Sequence, residues 1–143
     1  MDKRVGTITL GVHDLTRARR FYEEGLGWTR DGGESDIAFY QCNGFVFGLY
    51  EWPAFAKHAG LPGAAAPGFR GSALGYCTRT RAEVDAVVAS AEKAGATITV
   101  RPRDAFWGGY NAYLTDPDGH LWEIAWNPHL VITERGEHLI KRS

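Results

Sequence analysis

The sequence predicts an α+β chain made of two copies of one module, each a strand, a helix and three further strands. Three observations predict it. Apolar side chains alternate with period 2 at residues 5–12 and again at 120–126, as half-buried strands require. They recur at helical spacing at Leu15, Ala18, Phe21 and Tyr22, and again at Val84, Val87, Val88 and Ala91. The order of elements then repeats after roughly sixty residues, weak in identity and clear in pattern, which implies two stacked modules that share a site.

In residues 5–12, Thr7, Thr9 and Gly11 take one face and Ile8, Leu10 and Val12 the other. Asp14 suits the N-cap of the first helix, because a short carboxylate accepts from a first-turn N–H. Arg17, Arg20, Glu23 and Glu24 look outward, and Gly25 and Gly27 end the helix. A short strand at 28–30, a turn at Asp31-Gly32-Gly33, and strands at 37–42 and 45–50 joined at Asn43-Gly44 complete the first module, about 5–51. Residues 52–71 read as a connector, marked by Pro53, Pro62, Pro67 and an alanine run, with one short helix about 54–58 and an exposed His58. The second module, about 72–127, takes strands at 72–78, 97–101, 110–115 and 120–126 and a helix that stops at Gly95. Asn127-Pro128 ends its last strand. The tail, 128–143, holds apolar runs about Leu130 and Leu139 with a turn at Glu134-Arg135-Gly136, a terminal hairpin to be covered by its own module or by a second subunit.

At 143 residues the chain suits one domain, and 44% hydrophobic with 13% aromatic residues makes it globular. Sixteen basic residues nearly balance seventeen acidic ones, which argues against a nucleic-acid footprint or a polybasic membrane contact. No apolar run approaches a membrane span, and Met1-Asp2-Lys3-Arg4 leads into a strand pattern, so a cytoplasmic protein is expected. Cys42 and Cys77 lack the close spacing of a zinc site or a disulfide framework and fit a packing role.

The stretch Asp116-Pro117-Asp118-Gly119 supplies a fixed φ, side chains that bond their own backbone, and a residue free to take φ > 0, which together make a tight turn. The following strand puts Leu121, Glu123 and Ala125 on one face and His120, Trp122, Ile124 and Trp126 on the other. Glu123 is thus a lone carboxylate in an apolar strand. Its burial would require a metal, a cation, a hydrogen-bond donor, a proton of its own or water.

Two such modules, with Gly11-Val12-His13-Asp14-Leu15, Phe21-Tyr22, Leu26-Gly27-Trp28 and the Asp116 to Glu123 motif, resemble the vicinal oxygen chelate superfamily, the group of glyoxalase I, extradiol dioxygenases and bleomycin-resistance proteins. The resemblance covers about residues 5–128. It implies paired βαβββ modules forming a curved mixed sheet, a cup with the helices on its convex side and a small-molecule ligand on its concave face, usually completed as a homodimer. It also implies the positions that hold a divalent metal in the metal-dependent members. These fall on Thr7, on Gly48, on Ser72 or Ala73, and on Glu123, of which only Glu123 retains a ligating side chain. No metal or other cofactor is therefore expected, since a transition ion needs several imidazole, thiolate or carboxylate donors. None of the five histidines supplies them: His13 starts a helix, His58 lies in the connector, His129 and His138 in the tail, and His120 on the wrong face.

Concave-face candidates are Thr7, Thr9, Tyr40, Tyr50, Asn111, Tyr113 and Glu123, with Trp107 in a loop, Phe106-Trp107-Gly108-Gly109, over the mouth. Aromatic walls with a few polar groups suit planar or amphipathic organic molecules, and no cluster of Arg or Lys marks a small-anion site. The resemblance implies a protein that binds a small organic molecule without a metal. Its alternatives are a metal-independent lyase or isomerase with Glu123 as general acid or base, oriented with Tyr113 or Thr9, and a metal-dependent lyase or dioxygenase.

Overall fold

The structure, a computed structural model, describes residue 3, residues 5–63 and residues 68–141. The connector's alanine run and Pro67, together with Met1, Asp2, Arg4, Arg142 and Ser143, lie outside the described residues. The chain separates into two compact units, Met1–Pro67 and Gly68–Ser143, divided within the connector.

The first unit holds β1 (Thr7–Val12), α1 (Leu15–Arg19), β2 (Ile37–Gln41), β3 (Val46–Glu51) and α2 (Trp52–Ala59). Its sheet runs β1-β3-β2, with β1 parallel and β2 antiparallel to β3. Asp14 caps α1 as its sequence position implies, its Oδ1 accepting from Arg17 N at 2.9 Å. From Arg20 to Gly25 the helix widens into a π turn, closed by Leu26 N donating to Phe21 O at 3.0 Å. Neighbouring Phe21 and Tyr22 are both buried within this turn. Tyr22 meets Phe47 and Trp28 with ring centroids 5.4 and 5.3 Å apart, and Val12, Ala38 and Leu49 complete the core.

The strand expected at 28–30 does not form. Trp28 turns inward against Phe47 and Tyr40, and pairing with β2 shrinks to a bridge between Gly32 and Phe39. The Asp31 carboxylate takes the place of a strand carbonyl there, accepting from Gln41 N at 2.7 Å. Gly33, at φ 116°, then turns the chain away.

Glu23, at the outer end of the π turn, accepts from Arg19 Nε at 2.9 Å and from the Tyr40 hydroxyl at 3.0 Å. The hydrogen bond from Arg19 holds its carboxyl below the usual range, aided by Tyr40 and opposed by burial. A depressed folded-state pKa adds stability above the unfolded pKa, about 4.3 for glutamate, which is lost as pH falls through the lower folded value. Thermal melts of the protein and of Glu23→Gln are therefore expected to separate at neutral pH and to converge in acid below that range.

The second unit holds β4 (Leu74–Thr78), α3 (Arg81–Lys93), β5 (Thr97–Asp104), β6 (Tyr110–Thr115), β7 (Leu121–Trp126) and a terminal hairpin of β8 (Leu130–Ile132) and β9 (His138–Ile140). Its main sheet, β4-β7-β6-β5, repeats the plan of the first, with β4 parallel to β7 and β5 as the additional strand. Thr80 caps α3 by accepting from Glu83 N at 3.2 Å, and Val84, Val88 and Ala91 bury the face that packs on the sheet. In the turn before β7, Asp116 Oδ1 accepts from the backbone N–H groups of Asp118 and His120, both at 2.9 Å, and Gly119 sits at φ 81°. The hairpin is tied to its own unit, with Arg79 Nη2 donating to Thr133 O at 2.8 Å.

Candidate functional site

In β7, Trp122 and Ile124 are buried on the α3 side, which leaves Glu123 on the open face. Glu123 pairs with Tyr113 across the β6–β7 ladder and Ala125 pairs with Asn111, so parity brings Asn111, Tyr113 and Glu123 to one face. There they bond: Asn111 Nδ2 donates to Glu123 Oε1 at 2.6 Å and the Tyr113 hydroxyl donates to the same oxygen at 3.0 Å. Asn111 is 5% exposed, which fixes its amide; Tyr113 and Glu123 are half-buried. Burial and then the bond to Glu123 push the Tyr113 hydroxyl up, so it remains a donor at neutral pH. Cys77 of β4 lies on the same side, its thiol raised by burial and then by the Glu123 charge. Two neutral donors orient the carboxylate without cancelling its charge. Oε2 has no partner among the described residues, so its lone pairs are available to a further donor.

Trp107 lies half-buried at one end of this face. A Cβ at Gly109 would collide with its ring, so the missing side chain makes the room that the indole fills. Gly109 still belongs to the ladder through Ala105 N donating to its carbonyl at 2.9 Å, and it falls in line with Asn111 and Tyr113.

In the first unit, Thr9 and Tyr50 share the face of Gly11 and Gly48, with Thr7 exposed at its edge. α2 turns back over that face, which the sequence reading missed. The Trp52 ring lies against Gly11, 2.8 Å from where a Cβ would stand, and His13 stacks on Trp52 at 5.3 Å. Tyr50 stacks on Phe55 at 5.5 Å and its hydroxyl bonds His58 Nδ1. Trp52, Phe55 and His58 at three-residue spacing directly after a strand were the available signal.

Tyr40 is a correction. It pairs with Phe47 and lies on the helix side of the sheet, 1% exposed among Tyr22, Trp28 and Phe47, rather than on the open face. It helps wall a recess of about 340 Å³ beside Trp28 and Cys42, and a smaller one of about 140 Å³ lies by Cys77 and Ile132 under the terminal hairpin. Neither includes Glu123.

The ladders resolve the metal positions named from the resemblance. Glu123 pairs with Gly75 as Gly48 pairs with Thr9, so Ala73 rather than Ser72 answers to Thr7. The set Thr7, Gly48, Ala73 and Glu123 contains one carboxylate and does not fit a transition ion. Among the described residues no three His, Cys, Asp or Glu side chains gather to hold a metal. None of the helices among those residues is long and apolar enough to cross a membrane.

Residues 4–124 match the model of the Glyoxalase/Bleomycin resistance protein/Dioxygenase superfamily. A solved glyoxalase-related enzyme from Fulvimarina pelagi is 34% identical, with a TM-score of 0.91 over 98% of this chain and 99% of that one. A glyoxalase/bleomycin resistance protein/dioxygenase from Nocardioides is 22% identical, with a TM-score of 0.76 over 90% and 86% of the two chains. A lactoylglutathione lyase from Agrobacterium tumefaciens is 19% identical, with a TM-score of 0.68 over 88% and 95%. No curated protein matches the chain.

Proposed function

This chain belongs to the glyoxalase/bleomycin resistance protein/dioxygenase superfamily, and we propose that it binds a small organic molecule on the open face of its second unit without an intrinsic metal ion. One observation carries this proposal. Glu123 is gripped through a single oxygen by Asn111 and Tyr113, which aims the other at whatever lies on the face. Such preorganisation removes an ordering cost from binding. Trp107 adds an aromatic surface at the end of the face, as a planar ligand requires. We take the protein as a cytoplasmic homodimer.

The aimed oxygen also supports a second function, that of general base or acid in a metal-independent lyase or isomerase. Titration of small aromatic compounds by tryptophan fluorescence, with Glu123→Gln alongside, separates the two. A binding role is expected to cost roughly ten- to a hundredfold in affinity, the worth of a hydrogen bond to a charged group. Affinity that stays intact while product formation stops would instead establish the enzyme. A stoichiometric transition metal in untagged protein, needed for ligand binding, would overturn both.

A further inference from the structure

The sheet face that carries Glu123 also carries a guanidinium. β5 is an edge strand, and its register against β6 slips twice, between Ile98 and Val100 and between Val100 and Arg103. Ile98 pairs with Leu114 of the buried side, whereas Val100 pairs with Tyr113 and Arg103 with Asn111. Simple alternation would keep Val100 on the face of Ile98 and send Arg103 to the face opposite Val100. The first slip turns Val100 over, and the second, at Arg101-Pro102, holds Arg103 on the face of Asn111 and Tyr113. Proline suits this place, having no N–H to give the ladder.

Arg101 leaves toward α3, where it holds both oxygens of Glu92 at 2.8 and 2.6 Å. Arg70, Arg79 and Arg81 are likewise engaged, by the Asp118 carbonyl, the Thr133 carbonyl and the Asp104 carboxylate. Arg103 is exposed and makes no hydrogen bond or salt bridge to a described residue. Its charge nevertheless reaches Tyr113, where it opposes burial and Glu123. From β5 to β7 the face thus presents a cation and, held by the two neutral donors Asn111 and Tyr113, a carboxylate with one available oxygen.

We propose that the molecule bound on this face is a small organic acid, its carboxylate received by Arg103 and a hydroxyl or amine proton offered to Glu123 Oε2. The inference rests on the binding face proposed above. A guanidinium matches a carboxylate with two parallel N–H donors, and the same geometry gives an uncharged amide much less.

Calorimetric titration of phenyllactate and of phenyllactamide tests this, with the natural protein, Arg103→Gln, Arg101→Gln and Glu123→Gln. The acid is expected to bind roughly ten- to a hundredfold more tightly than the amide, and Arg103→Gln to erase that difference while leaving amide affinity unchanged. Arg101→Gln should alter neither. The acid's advantage should shrink in high salt wherever Arg103 is kept, in the natural protein and in Arg101→Gln alike, and Arg103→Gln should show no such salt effect. Equal binding of acid and amide by the natural protein, or equal loss of both in Arg103→Gln, overturns the organic-acid inference. In that event, an amide still weakened by Glu123→Gln would leave the binding face standing. Failure of both compounds to bind overturns the inference and the binding face together.

Discussion

Tyr40→Ala is expected to destabilise the protein by about 3–5 kcal/mol, the cost of emptying a large aromatic site in a packed core. The ring is 1% exposed and lies within 6.5 Å, centroid to centroid, of Tyr22, Trp28 and Phe47, so its loss leaves a void that these rings cannot close without leaving their own contacts. Its hydroxyl holds Glu23, and burial followed by that bond pushes its pKa well above the ordinary phenol range. Tyr40→Phe should therefore cost only about 1 kcal/mol, the net worth of one hydrogen bond. Urea melts of the two variants measure both quantities. Ligand affinity, taken well below the midpoint, should not move in either. A Tyr40→Ala protein of natural stability that no longer bound ligand would return Tyr40 to the pocket.

Asp116→Ala is expected to cost about 2–4 kcal/mol, because two backbone donors in the turn, those of Asp118 and His120, lose their acceptor where water cannot fully replace it. Asp116→Asn keeps an oxygen in the same place and should recover much of the loss. Hydrogen exchange at the His120 amide gives a local readout beside the melt. The turn also sets where β7 begins. A slip of one residue would carry Glu123 to the α3 side and Trp122 to the open face. Asp116→Ala is therefore expected to weaken ligand binding as well.

Much of the fold was legible because period and turn chemistry agree. β6 has the bounds that alternation implies, the Asn43-Gly44 hairpin closes with Cys42 N donating to Phe45 O at 2.9 Å, and α3 buries the expected stripe. Asn111, Tyr113 and Glu123 could be placed together because two adjacent strands of unbroken alternation fix their faces. Tyr40 could not be placed so, since Ile37, Ala38, Phe39 and Tyr40 are all apolar or aromatic and pattern alone assigns neither side. Its pairing with Phe47 decides the matter. Trp28 misled for a related reason: an aromatic after Gly27 suits a strand or a core anchor, and the packing against Tyr22 wins. Arg103 was hidden because parity counted along β5 fails at each bulge, and the strand pattern in the sequence stops at Arg101. α2 carries its aromatic stripe in the sequence, but the prolines about it fit a loop equally well, and spacing alone does not say which face such a helix covers.

The Asp31 carboxylate on Gln41 N bears on how the protein behaves in a crowded solution. β2 borders the first unit's sheet, and such margins invite strands of other molecules to dock and propagate. A newcomer would have to evict a negative charge from the N–H it needs and would meet a ladder already spent on Gly32 and Phe39. Edge-to-edge pairing at that rim is thereby disfavoured from its first rung.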